Sequence, residues 1–367
     1  MSSVELGKVV NIRTGKLDAN ASSENGVYPF FTCSSEPLKI DTYSYDCECV
    51  LVAGNGDLNV KYYLGKFDAY QRTYIIEAKR SQELFLKYLY YFIDSKMEYI
   101  RSKSIGGVIK YIKLGDLTSL KIPLQSLEHQ REIVAVLDKA NKLIEKRKEQ
   151  LRELDTLAES VFYDLFGDPV TNPKGWKKKK LGELGTWQSG GTPSRKNMSF
   201  FNGNIPWVTS GELNDIYIDS SFEKITANAV KESNAKIIPK GSLLLGMYDT
   251  AALKSSINNV ELSCNQAIAY STLNNTICDT LFVYYIIQLN KELYKKAQRG
   301  IRQKNLNLSM IKDIEIIYPS LELQKQFATI IEKIEEQKAK VKEAIKESED
   351  LFQRLMQDMF TPIDPKK

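Results

Sequence analysis

Histidine is almost missing from this chain: His129 is the only one in 367 residues. That excludes most histidine-based metal sites and any Ser-His-Asp arrangement built on more than this one residue. No G-x-x-x-x-G-K-[ST] occurs, and no G-x-G-x-x-G stands between a strand and a helix, so neither common phosphate-cradling loop is present. Five cysteines (Cys33, Cys47, Cys49, Cys264, Cys278) make an odd number without a framework pattern. The Cys47-x-Cys49 pair has no second pair to complete a zinc site. No apolar run approaches the roughly 18 residues of a membrane span, and "MSSVELGKVV" lacks the apolar core of a signal peptide. These absences lead us to expect a cytoplasmic protein with free thiols, no membrane partner and no catalytic chemistry of its own.

The chain does contain charge, 26% of residues, and a modest net +5. Residues 1–124 hold 16 basic against 14 acidic side chains and 168–319 hold 19 against 13; the stretches 125–167 and 320–367 are slightly acidic. A nucleic-acid partner would touch the former.

The acidic stretches are related. "SLEHQREI" begins at Ser126 and "SLELQKQF" at Ser320, and a shift of 194 aligns Ser126–Phe166 with Ser320–Phe360 without a gap, 12 of 41 pairs being identical. Such a match marks a duplication. Positions recur at alternating spacings of four and three, filled by Ile133, Leu137, Ala140, Ile144, Leu151, Leu154, Ala158, Val161 and Leu165 in the first copy and by Phe327, Ile331, Ile334, Val341, Ile345, Phe352, Leu355 and Met359 in the second. Arg147 breaks the first stripe, and Lys338 and Ser348 the second. This is a coiled-coil seam, with Ser126 and Ser320 placed as N-caps. Each helix of about 40 residues would be about 60 Å long.

The intervening segments read as mixed, β-rich domains. "ECVLVAG" (48–54) and "GSLLLGM" (241–247) fit buried strands, as do "YQRTYIIEA" (70–78) and "NQAIAYST" (265–272). "QELFLKYLYYFID" (82–94) and "CDTLFVYYIIQLN" (278–290) fit amphipathic helices. The expected fold class is therefore α+β: two β-rich mixed domains, each followed by a long helix, the helices pairing antiparallel. The expected boundaries are 1–124 for the first domain, 125–167 for its helix and 168–175 for a linker. The second domain spans 176–319, its helix 320–360, and a tail 361–367.

Candidate nucleic-acid contacts are polar and basic loop residues. They are Gln71 and Arg72; Arg101, Lys103 and Lys110; Thr192, Ser194, Arg195, Lys196 and Asn197 of "GGTPSRKN"; and Arg299, Arg302, Gln303 and Lys304 of "RGIRQKN". Arg and Lys suit guanine edges, Asn and Gln suit adenine edges, and Ser and Thr suit phosphates. Asn265 and Gln266 fill the place in the second segment that corresponds to Gln71 and Arg72. Asp68, Glu77 and Lys79 form a D-x8-E-x-K pattern of the kind that holds Mg²⁺ in some nucleases, a weak signal with no counterpart in the second segment.

Taken together, "IPLQSLEHQREIVAVLD", "YPSLELQKQFATIIEKI" and "GWKKKKLGELGTWQSGGTPSRKN" with "GNIPWVTSGEL" resemble the specificity subunits of type I restriction-modification enzymes, over essentially the whole chain. The resemblance implies two target recognition domains held on a helical pair, each reading half of a split, asymmetric double-stranded DNA target. It also implies two docked modification subunits that methylate adenine with S-adenosylmethionine, and restriction subunits using ATP and Mg²⁺. This chain itself would bind no cofactor. Three other readings are a specificity subunit of a related type II methyltransferase–nuclease, an autonomous nuclease using Asp68, Glu77 and Lys79, and a purely structural coiled coil.

Overall fold

The fold is that of a computed structural model, which describes residues 3–107, 109–248, 252–296 and 305–360. The chain divides into two compact units, one comprising 1–150 with 341–367 and the other 151–340. Each long helix therefore contributes one part to each unit.

Unit 1 opens with β1 (Ser3–Glu5), α1 (Leu6–Val9) and β2 (Val10–Thr14). It continues through β3 (Tyr28–Phe31), β4 (Leu38–Ile40), β5 (Tyr45–Ala53), β6 (Val60–Ala69) and β7 (Thr73–Ala78). Helices α2 (Leu86–Ser95), α3 (Met97–Lys103) and α4 (Leu114–Thr118) follow, then β8 (Lys121–Pro123) and the long α5 (Leu127–Phe166). Strands β2, β7, β5, β6, β3 and β4 lie side by side in that order, and β1 pairs with β8. Only the β3–β6 pairing is parallel in the six-stranded sheet. Both faces of its centre are covered. Val50, Val52 and Ile76 face α2, while Cys49, Leu51 and Ile75 pack with Phe31 and Phe67 on the other side. Burial on both faces explains why "CVLVA" is continuously apolar rather than alternating.

Unit 2 contains β9 (Lys178–Lys180), β10 (Gly185–Ser189), β11 (Ile205–Val208), β12 (Tyr217–Ile218), β13 (Glu223–Ile225) and α6 (Ala227–Lys231). Then come β14 (Leu243–Gly246), β15 (Ser255–Asn258), β16 (Ser263–Cys264), β17 (Ile268–Leu273), α7 (Thr280–Leu289), α8 (Lys291–Lys296), α9 (Leu308–Lys312), β18 (Glu315–Ile317) and the long α10 (Leu321–Phe360). The sheets run β10-β17-β14-β15-β12 and β13-β11-β16, with β9 paired to β18. Leu243 and Leu245 face α7, and Leu244 faces the opposite cluster with Val208 and Ile268. The last three lysines of the "KKKK" run thus form a short strand. Lys180 pairs with Asp313 at 2.9 Å, and the Lys179 ammonium lies 4.2 Å from the Tyr318 ring.

In unit 1 the first part of α5 runs against the last part of α10: Ile133, Leu137 and Ile144 share a core with Phe352, Met356 and Phe360. In unit 2 the remainder of α5, through Ala158, Phe162 and Phe166, packs with Phe327, Ile331 and Ile334. Both pairings are antiparallel. Ser126 and Ser320 accept hydrogen bonds from the backbone amides of His129 (3.3 Å) and Leu323 (3.4 Å), closing the N-termini as expected.

The seam departs from a strict four-three stripe near each C-terminus. Val161, Leu165 and Leu355 are only half-buried, whereas Phe162, Phe166, Met356 and Phe360, one position on, are fully enclosed. A straight helix advances about 20° per heptad past a 3.5-residue repeat, and the buried stripe follows that drift. The polar interruptions are accommodated in pairs. Arg147 donates to the Ala344 carbonyl at 2.6 Å and to the Ser348 hydroxyl, and Lys338 sits 2.7 Å from both Asp155 and Glu335.

The glutamine shared by the two repeats is fully buried in each. Gln130 accepts from the Phe85 amide (2.8 Å) and donates to the carbonyls of Glu83 (2.9 Å) and Gln125 (2.8 Å). Gln324 accepts from the Asp279 amide (2.9 Å) and donates to the Pro319 carbonyl (2.9 Å). Each therefore ties the start of a long helix to the start of the amphipathic helix of its own domain. Among the described residues, no helix is long and apolar enough to cross a membrane.

Candidate nucleic-acid interface

Two strand-like stretches of the sequence begin later than their composition suggests. Strand β7 starts at Thr73 and β17 at Ile268, and the residues before each form a tight turn. In unit 1 the Thr73 amide reaches back to the Tyr70 carbonyl (2.8 Å), which puts Gln71 and Arg72 at an exposed tip. The loop after β2 holds this tip. The Leu17 carbonyl accepts from the Gln71 amide (2.8 Å), and the Asp18 carboxylate accepts from the Gln71 side chain at 3.5 Å.

Neighbouring loops converge on the same end of the sheet. The Gly54 amide donates to the Arg72 carbonyl (2.8 Å), and the Gly56 amide to the Lys110 carbonyl (2.9 Å). Ile105 and Tyr111 exchange two backbone hydrogen bonds of 3.0 and 2.9 Å, which set these two residues side by side. Gln71, Arg72 and Lys110 thus share one edge, and neither Arg72 nor Lys110 makes a side-chain hydrogen bond or ion pair among the described residues. Arg101 is committed elsewhere, donating to the Leu58 carbonyl at 2.6 Å, and Lys103 lies 5.5 Å from the Tyr99 ring.

In unit 2 the "GGTPSRKN" loop divides between support and free polar surface. A Cβ placed on Gly190 would stand 2.3 Å from the Asn265 carbonyl oxygen, and one on Gly191 2.2 Å from that of Asn234. Only glycine permits this approach of backbone to backbone, so the pair serves loop packing. Arg195 makes a two-pronged contact with Glu223 (2.5 and 2.6 Å) and lies over the rings of Phe201 and Trp207. Its hydrogen bonds hold the Glu223 carboxyl below its usual range. Asn197 caps a short 3₁₀ turn by accepting from the Ser199 amide (3.2 Å). Ser194 and Lys196 remain exposed with no side-chain partner among the described residues.

Thr192 donates to the Gln266 side chain at the edge of a polar cleft of about 540 Å³, lined also by Ser189, Asn234 and Lys236. Asn234 and Lys236 carry no motif in the sequence; only the approach of their loop to Gly191 reveals them. Phe222 was equally invisible. It is 95% exposed, yet its amide is held by Glu212 (2.8 Å), and its neighbour Ser221 accepts from the Trp207 amide (2.9 Å). Arg299, Arg302, Gln303 and Lys304 lie outside the described residues.

The D-x8-E-x-K residues do not converge. Asp68 is 1% exposed and accepts from Ser44 (2.7 Å), Glu77 pairs with Arg13 across from β2, and Lys79 donates to the Gly7 carbonyl (2.9 Å). Asp68 adjoins Ser44, whereas Glu77 lies beside Cys49 in the sheet; five residues of β5 at about 3.3 Å each separate those levels. Among the described residues no group of three or more His, Cys, Asp or Glu side chains is gathered for a metal.

The family model for the type I restriction modification DNA specificity domain matches residues 1–154 and again 173–348. The specificity subunit of the type I restriction enzyme EcoDI from Escherichia coli is 39% identical over 151 residues, 41% of this chain and 33% of that protein. The specificity subunit of MjaIX from Methanocaldococcus jannaschii is 30% identical over 207 residues, 53% of this chain and 46% of that protein. The chain thus spans less than half the length of either relative. Among solved structures, an S subunit from M. genitalium superimposes with a TM-score of 0.63 at 16% identity, covering 99% of this chain and 96% of the other.

Proposed function

Because the chain belongs to the type I restriction modification DNA specificity domain family, we propose that it is the non-catalytic specificity subunit of a type I restriction-modification system. In this role it reads a bipartite, asymmetric double-stranded DNA target. The observation that carries the reading is the double use of one plan: two units of unlike loops, each presenting a glutamine-tipped turn and a polar loop edge, each clamped by a buried glutamine to a repeated helix. Rigid scaffolds bearing different loops suit the reading of different sequences. Exposed cations such as Arg72, Lys110 and Lys196 would meet phosphates or guanine edges.

The partners follow from the same reading. Val136, Leu143 and Leu157 stand 7 and 14 residues apart on the outer surface of α5, and Leu351 repeats the last of them on α10. Exposed apolar residues at heptad spacing suit helical partners, here two modification subunits that use S-adenosylmethionine, with restriction subunits using ATP and Mg²⁺ beyond them. The chain itself would bind no cofactor.

Co-expression with the methyltransferase encoded beside it, followed by genome-wide mapping of methylated adenines, tests the proposal. A split motif is expected, and exchanging residues 170–319 for those of a relative should change one half only. A motif that changes in both halves, or in neither, refutes the two-reader arrangement. Cutting of DNA by the isolated chain with Mg²⁺, abolished by Asp68→Ala, would refute the non-catalytic role.

A further inference from the structure

The turns before β7 and β17 are the same structure. In unit 1 the Gly15 amide donates to the Thr73 carbonyl (3.0 Å), the Thr73 amide to the Tyr70 carbonyl (2.8 Å) and the Gly54 amide to the Arg72 carbonyl (2.8 Å). In unit 2 the Gly190 amide donates to the Ile268 carbonyl (3.0 Å), the Ile268 amide to the Asn265 carbonyl (3.2 Å) and the Met247 amide to the Ala267 carbonyl (2.8 Å). The strand registers agree, with Thr14 opposite Tyr74 and Ser189 opposite Ala269. These bonds equate residues 70–73 with 265–268, and so Gln71 with Gln266. The helix shift of 194 instead aligns Gln71 with Asn265, because the segment between the turn and the long helix is one residue shorter in the second copy.

Both glutamines are exposed, and each is steadied by one hydrogen bond from the loop after the first sheet strand, through Asp18 or Thr192. Neither bond exhausts the amide. A carboxamide carries two N–H donors and an oxygen with two lone pairs, so each of these exposed side chains retains at least one donor and one acceptor. That donor–acceptor pair matches N7 and N6 of adenine in the major groove. An amide whose orientation is already fixed loses less freedom on contact than a free one. The flanking residues differ: Arg72 follows Gln71, whereas Ala267 follows Gln266 within the polar cleft.

We propose that Gln71 and Gln266 are equivalent base-reading residues, each contacting the edge of one adenine in its own half of the target. The assignment rests on the specificity-subunit reading and adds a residue-level code to it. Two domains of unlike loops would then share one fixed contact, while Arg72, Lys110, Lys236 and the remaining loop residues distinguish the half-sites.

The full chain, co-expressed with its methyltransferase, is compared with Gln71→Ala and Gln266→Ala by sequencing methylated adenines, the halves having been assigned by the 170–319 exchange. Each variant should relax a single adenine position in its own half by roughly 5- to 150-fold in discrimination, leaving the other half intact. Gln71→Glu and Gln266→Glu retain the shape but only accept, so the same position should move from adenine toward cytosine. Unchanged motifs, relaxation in the wrong half, or a loss of methylation uniform across all positions in both the Ala and Glu variants would mark the glutamines as loop braces and overturn the assignment alone. A native chain that yields no sequence preference overturns the specificity reading itself.

Discussion

Replacing Gln130 should be among the most damaging single changes in unit 1. Its side chain is fully buried and makes three hydrogen bonds, to the Phe85 amide and the Glu83 and Gln125 carbonyls. The Phe85 amide opens α2, whose N-cap residue supplies no side-chain cap, so removal of Gln130 orphans a half-buried donor there. An orphaned buried donor costs about 1–3 kcal/mol, and two carbonyls lose partners as well. Gln130→Met keeps the approximate volume and removes only the polar contacts; a loss of about 2–4 kcal/mol is expected. For a unit of this size that is roughly a 4–16 °C fall in melting temperature. The equivalent Gln324 makes two hydrogen bonds, with the Asp279 amide and the Pro319 carbonyl, and α7 is also capped by the Asp279 carboxylate (2.9 Å to the Leu281 amide). Gln324→Met should therefore cost less. Thermal melting combined with hydrogen exchange at the Phe85 and Asp279 amides provides the measurement. A loss below about 0.5 kcal/mol for Gln130→Met, an unchanged Phe85 exchange rate, or a larger cost at Gln324 would refute the reasoning.

Four further outcomes can be checked. Phe222→Ser should leave melting unchanged, since the side chain is exposed, but weaken DNA binding by the assembled complex; equal binding removes Phe222 from the interface. Lys196→Ala should lower the salt dependence of binding by about one ion without affecting stability, whereas Arg195→Ala should also destabilise unit 2 by about 1 kcal/mol through loss of its Glu223 and ring contacts. Identical stability of the two variants would contradict the bracing role of Arg195. Native protein at neutral pH should alkylate at Cys33 and Cys47 well before Cys49, Cys264 and Cys278, all three buried; burial pushes the Cys278 thiol up to about 11, so it stays protonated. Early labelling of the last three would argue against the cores described. Finally, under the proposed two-reader arrangement, inserting seven residues after Gln150 and seven after Lys340 should lengthen the gap in the mapped methylation motif by about 3 base pairs, from a rise of 1.5 Å per residue, and leave both halves of the motif intact.

Much of the architecture was legible because it is periodic. The heptad stripe of the repeats and the apolar runs at Val50–Ala53 and Leu243–Leu245 follow directly from where water is excluded. The interface was less legible because turns and loops are specified by single backbone approaches. The sequence reading ran the strand signal of "YQRTYII" back to Tyr70, since β propensity does not register that Thr73 bonds back onto Tyr70. Arg195 and Asn197 carry the residue types of nucleic-acid contacts, yet Glu223 and Ser199 engage them within the unit. The repeated glutamine stood in plain view, but its position in an exposed first turn of sequence gave no sign that a domain helix would bury it.

The residues that break the heptad pattern define what the pattern alone leaves open. An apolar seam can slide by seven residues and remain apolar. Here Arg147 faces Ala344 and Ser348 in unit 1, and Lys338 faces Asp155 in unit 2. A slip of one heptad would set Arg147 against Val341 or Leu355, and Lys338 against Phe162 or Lys148. Either arrangement leaves a cation on the seam with an apolar or like-charged neighbour, at a cost of several kcal/mol. The same polar pairs would contribute little if replaced together by matched apolar residues, so their effect is on register rather than on total stability. A helical pair proposed to set the separation of two half-sites needs one register, because each heptad of slip is about 10 Å. The interruptions at Arg147, Lys338 and Ser348, which weaken the seam as a hydrophobic pattern, are therefore what makes it usable as a measure of length.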